Sequence, residues 1–118
     1  MTPKEVIAEM INNDKFDTIS MAIAILGFLL EDKITQTEAN DFFAKIGLIF
    51  VYPSDLDSII FTYNNISYTI NSILIYYHNN IYPHSSLGIN ASKVTITCAN
   101  KKGLLSEEEY NNLKSFVW

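Results

Sequence analysis

Apolar residues recur at helical spacing near both ends of the chain. Val6, Ile7, Met10 and Ile11 share one stripe, and they follow Thr2, Pro3 and Glu5. Those three fit an N-cap, a first helical position and the third residue of a Thr-x-x-Glu box. Asn12-Asn13-Asp14 breaks the stripe. From about Asp17 to Glu31 the chain is apolar nearly all round (Ile19, Met21, Ile23, Ile25, Leu26, Phe28, Leu29, Leu30), which predicts a central buried helix. Thr35-Gln36-Thr37-Glu38 opens a third helix with Ala39, Phe42, Phe43 and Ile46 on its apolar face, and Gly47 stands where a C′ glycine belongs. The same grammar returns later. Lys101-Lys102-Gly103 closes one helix, and Ser106 with Glu109 opens another whose stripe is Tyr110, Leu113 and Val117. No linker or low-complexity segment interrupts this order, so residues 1–118 are expected to form a single globular domain.

The middle of the chain admits two patterns. Leu56, Ile59, Tyr63, Ile66, Ile70, Ile73 and Tyr77 alternate by three and four after a Ser54-Asp55-Leu56-Asp57 start, which reads as a helix. The same stretch also writes a meander of strands at 59–63, 66–70 and 73–77, joined by Asn64-Asn65 and Asn71-Ser72. Its Ile, Tyr and Thr content favours strands. Lys93–Ala99 divides in the same way between a strand and a helix, with Leu87, Ala91, Val94 and Cys98 at helical spacing. The helical ends tip the expectation to a mainly α fold, a single compact bundle of about six helices joined by short capped turns. The alternative is α+β, with a meander at 59–77 and a strand at 93–98. Under either pattern Ile59, Tyr63, Ile66, Ile70, Ile73 and Tyr77 gather on one face, expected to be core.

Charge changes the picture of that middle. Ser58 to Ser92 carries no Asp, Glu, Lys or Arg, yet holds five of the seven tyrosines. Residues 1–57 hold ten acids against four lysines, and Glu107–Glu109 add three acids in a row. The net charge is −5 and arginine is absent. Without the guanidinium fork that suits phosphates, a nucleic-acid partner is not expected, and the Coulomb term favours a basic protein. The most lipid-like run, Ile19 to Leu30, is too short to span a bilayer, so no membrane partner is expected. Cys98 stands alone, which fits a reducing compartment, and the first residues lack the basic and apolar regions of a secretory signal. A cytoplasmic location follows as an expectation.

Candidate chemistry is sparse. His78 and His84 flank a segment containing Pro83, and Cys98 is the other soft ligand. No metal-binding spacing results, and surface or capping roles are expected for both histidines. Cys98 lacks a nucleophile's surroundings and reads as an inert buried thiol. The acids at Asp55-Asp57 and Glu107–Glu109 sit at expected helix starts, where capping and dipole compensation explain them. Glu31-Asp32 reads as a solvated turn. The glycines form no phosphate-cradling loop. No catalytic residue, metal, cofactor or small-molecule substrate is therefore expected, and the chain is not expected to be an enzyme. Tyrosine and asparagine together are instead a binding composition, one giving contact area and the other adaptable hydrogen bonds. With Tyr63 and Tyr77 assigned to the core, the expected partner face is Tyr68, Tyr76, Tyr82, Asn64, Asn65, Asn79 and Asn80, rimmed by Asp55 and Asp57.

In size, acidity and its Asn/Ile-rich, arginine-free composition, the chain resembles the immunity proteins of bacterial contact-dependent growth-inhibition systems. The resemblance spans the whole chain as general character and rests on no shared motif. It implies a protein that binds a cationic toxin domain, often a nuclease, as a heterodimer and neutralises it by occluding its active site. A small helical adaptor or regulatory subunit, acting through homo- or hetero-dimerisation, is the competing expectation.

Overall fold

The computed structural model describes residues 2–13, 17–56, 58–80 and 86–118, with backbone alone at 86 and 87. Among them the order is α1 (Pro3–Asn12), α2 (Thr18–Leu30), α3 (Gln36–Lys45), β1 (Phe61–Tyr63), β2 (Ile66–Tyr68), α4 (Ile70–Asn80), α5 (Ser86–Lys101) and α6 (Glu107–Val117). The fold is a mainly α bundle carrying one small hairpin. Its Cα radius of gyration is 13.1 Å, close to the ~13.5 Å of a compact domain this long.

The helix ends follow local chemistry. Thr2, Asp17, Thr35 and Ser106 are N-caps, and the boxes Thr35–Glu38 and Ser106–Glu109 close in both directions. At α3 the amide of Leu48 donates to Phe43 and that of Gly47 to Ala44, with Gly47 at φ +84°. This Schellman pattern recurs after α5, where Gly103 (φ +73°) donates to Asn100 and Leu104 to Ala99. It appears a third time after α2. There Asp32, not glycine, takes the left-handed position at φ +61°, donating to Leu29 while Lys33 donates to Phe28. A short polar side chain tolerates that conformation.

Helix α2 is the hub, buried over residues 21–27 and at Ile19, Leu29 and Leu30. Its most extensive contact is with α5, whose buried positions are Gly88, Ser92, Thr95, Ile96 and Ala99. Apart from Ile96 these residues are small, which lets the two helices approach closely at Gly27. A Cβ on Gly27 would stand 3.1 Å from Thr95 Oγ1 and 3.3 Å from the Ala91 carbonyl oxygen. Residues 93–98 lie inside α5 and are helix, not the strand of the α+β alternative.

In the ambiguous middle each pattern holds over part of the length. The strands 61–63 and 66–68 pair antiparallel, Phe61 with Tyr68 and Tyr63 with Ile66. Asn64 (φ +52°) and Asn65 (φ +66°) turn between them in the left-handed geometry of a two-residue hairpin. The helix begins at Ile70, where Thr69 Oγ1 accepts from the Ser72 amide (3.1 Å) and Ser72 Oγ from the Thr69 amide (2.7 Å). Residues 73–77 are thus helix, as in the mainly α expectation, and not the third strand of the α+β alternative. The expected helix start at Ser54 is a loop, because Ser58 Oγ takes the amides of Ser54 and Asp55, each at 3.0 Å.

The expected core face needs correction at two residues. Ile70, Ile73 and Tyr77 are buried and Tyr63 half-buried, but Ile59 and Ile66 are 53% and 54% exposed. Ile66 lies at the hairpin tip, beyond the helical body. Ile59 is displaced by a bulge. Tyr68 pairs with Phe61, yet its carbonyl also accepts from the Ile60 amide at 2.8 Å. Two residues opposite one turn both Ile60 and Phe61 inward and leave Ile59 outside. An aromatic column fastens this hairpin to the bundle: Phe50 stacks on Phe43 (centroids 4.4 Å), then Phe61, Tyr68 and Tyr76 follow at 6.0, 6.0 and 5.7 Å.

Candidate partner-binding surface

The expected partner face divides into separate places. Asn64 and Asn65 are exposed at the hairpin tip, while Asn79 and Asn80 are exposed at the far end of α4. Helix α4 is 11 residues long, a length of about 16 Å. Asn80 Nδ2 donates to the Tyr76 carbonyl at 3.1 Å and helps end that helix. Tyr76 is half-buried. Tyr68 is a correction: it is only 5% exposed, a core residue between Phe61 and Tyr76, and burial raises the pKa of its phenol. Strand pairing with Phe61 puts both rings on the inner face. Asp57 and Tyr82 lie outside the described residues, as does His84.

His78 also departs from expectation. It is 2% exposed, inside the bundle, with Nε2 2.7 Å from Ser92 Oγ on α5 and its ring stacked on Phe116 of α6 at 5.4 Å. The hydrogen bond makes burial tolerable. Cys98 is half-buried, and burial followed by the Glu31 carboxylate pushes its thiol pKa up. Among the described residues no group of three or more His, Cys, Asp or Glu is placed to hold a metal ion. Nor is any helix among them long and apolar enough to cross a membrane.

The acids come together more than the tyrosines do. An open groove of about 560 Å³ is lined by Leu56, Asn71, Ser106, Glu108, Glu109 and Asn112. It brings the loop around Leu56, which carries the expected rim residue Asp55, against the acidic start of α6. Glu107 and Glu108 are exposed there, whereas Glu109 Oε1 accepts from the Ser106 amide at 3.0 Å. The ion pairs among the described residues, Lys4–Glu38 (3.0 Å) and Lys102–Asp32 (3.7 Å), involve neither Glu107 nor Glu108. Asn71 Oδ1 is buried beside the groove without a hydrogen-bond partner among the described residues. The roles expected for Glu107–Glu109 are met: Glu109 closes the capping box, and all three acids lie in the first turn of α6, where they compensate the dipole.

A second surface was missed altogether. Residues 48–51 alternate, with Leu48 and Phe50 buried and Ile49 and Val51 outward at 87% and 58% exposure. Ile49 and Val51, with Gly47, Ile59, Ile60, Phe61 and Thr62, line a groove of about 330 Å³ without a charged residue. The period-two pattern of Leu48-Ile49-Phe50-Val51 was hidden, because all four residues are apolar.

The chain matches no protein-family model, no curated protein and no solved structure.

Proposed function

We propose that the protein is a non-catalytic cytoplasmic inhibitor, an immunity protein that neutralises a cationic toxin domain by occluding its active site. A nuclease is the preferred target, since an active site built for phosphates is itself positively charged. The observation that carries this reading is the groove between the Asp55 loop and α6, lined by the exposed Glu108 and by Glu109, with Glu107 exposed in the same first turn of α6. Exposed carboxylates around a concave, polar wall accept lysine and arginine side chains and steer a basic partner into contact. The net charge of −5 acts in the same sense at longer range.

The test is to seek a basic toxin domain among the products of neighbouring genes and to measure its association rate with this protein at low and high salt. Asp55→Lys and Glu108→Lys should each slow association several-fold, together by about tenfold or more, with dissociation changed less. Rates indifferent to both salt and charge reversal would remove the electrostatic basis of the reading.

A further inference from the structure

A slot between α2 and α5 ends in an acid. Ala24, Gly27, Phe28 and Glu31 line one side, at i, i+3, i+4 and i+7 along α2 and its C-cap. Asn90, Ala91 and Val94 of α5 line the other. The space is about 110 Å³, well below the ~300–1,000 Å³ of a site for a drug-sized molecule. Its length, from Ala24 to Glu31, is about 10 Å of helix, which suits one narrow, unbranched chain. The two helices run the same way here, since Gly27 faces Ala91 and Thr95 while Asp32 pairs with Lys102. Exposed Asn90 and half-buried Glu31 therefore stand at opposite ends, with Phe28 and Val94 between them.

Glu31 stands where a helix disfavours an acid. It caps the C-terminus of α2, the negative pole of the helix dipole, and the last turn of α2 holds no base. The ion pairs among the described residues leave it out, and Lys102 goes instead to the neighbouring Asp32 at 3.7 Å. A cation entering the slot would meet the carboxylate and the negative pole together. We propose that the slot receives one lysine side chain of a partner protein, with its methylenes between Phe28 and Val94 and its ammonium against Glu31. That lysine comes from the cationic partner of the inhibitor reading, on which this assignment rests. Lysine buries its stem along apolar surface while its charge stays at a polar end. Arginine brings a planar fork in place of a compact ammonium and fits a narrow slot less well.

The probe is Nα-acetyl-lysine methylamide, titrated into nitrogen-15-labelled protein while amide shifts are followed. The shifts should gather at Gly27, Phe28, Ala91 and Val94 and saturate in the millimolar range. Capped norleucine, which lacks the ammonium, and capped arginine should each bind about three- to tenfold more weakly. Glu31→Gln should remove the preference for lysine over norleucine. Val94→Phe fills the slot and should abolish the shifts from all three probes, with circular dichroism to check that both variants remain folded. Equal binding of lysine and norleucine by the wild type overturns the proposal, as do shifts that avoid these four residues. Clearly tighter binding of n-pentylamine than of the capped lysine makes the occupant a free amine and likewise overturns it. None of these titrations uses a toxin, so the slot can fail while the salt and charge-reversal rates still support the inhibitor reading.

Discussion

Gly27 on α2 faces Thr95 on α5 with room for a hydrogen and little more, since a Cβ would lie 3.1 Å from Thr95 Oγ1. That hydroxyl donates to the Ala91 carbonyl at 2.7 Å and does not swing aside freely. Gly27→Val should therefore lower stability by roughly 1–3 kcal/mol through overpacking. Urea unfolding measures this, and Thr95→Ala in the same background should restore part of the loss.

The hydrogen bond between His78 and Ser92 joins α4 to α5 inside the bundle. Ser92→Ala removes one partner and leaves the imidazole Nε2 without it, at a cost of about 1–3 kcal/mol. His78→Ala should cost more, about 2–4 kcal/mol, because it also opens a cavity against Phe116 and Tyr77. Equal losses in the two variants would mean that packing of the ring contributes nothing beyond the bond.

Glu38 supplies a pH dependence. Its carboxylate accepts from the Thr35 amide and pairs with Lys4, and these contacts lower its pKa, the backbone bond most. A depressed folded-state pKa gives stability that is present above the unfolded value of about 4.3 and is lost as pH falls through the folded one. Wild type should thus be the more stable of wild type and Glu38→Gln at neutral pH, and the two should converge below about pH 4. Thermal melts across that range provide the comparison.

Cys98 should alkylate slowly. Burial and the nearby Glu31 raise its pKa, so little thiolate is present near neutrality. Iodoacetamide should modify the folded protein more slowly than the urea-unfolded chain at the same pH. Glu31→Gln should speed the folded-state reaction, by removing a negative charge that disfavours the thiolate.

Legibility in the sequence tracked how local each signal was. The caps of α1, α3 and α6 are side-chain bonds spanning three residues, and all were readable as motifs. Residues 59–77 were not, because Ile59, Tyr63 and Ile66 satisfy both periods. The decision falls to Asn64-Asn65 and to the Thr69–Ser72 cap. Helix α5 was obscured by an inner face in which Ile96 is the one large apolar residue beside Gly88, Ser92, Thr95 and Ala99 among the described residues, so it carries little hydrophobic signal although it lies against the apolar α2. In the candidate site Asp55 was visible as an acid, but the proximity of its loop to the start of α6 is a tertiary fact. Tyr68 misled because tyrosine suits both a binding surface and a core.

The bulge at Ile60 and Phe61 acts as a frameshift in the alternation of inside and outside. What faces solvent upstream of the hairpin depends on how many residues precede Phe61, as well as on which residues they are. Deleting Ile60 would leave one residue opposite Tyr68 and restore the alternation, so that Ile59 would stay outside while Ser58 would turn inward. The hydroxyl clasp on Ser54 and Asp55 would be pulled along with it. The spacing of one residue thus ties the apolar groove to the shape of the acidic loop.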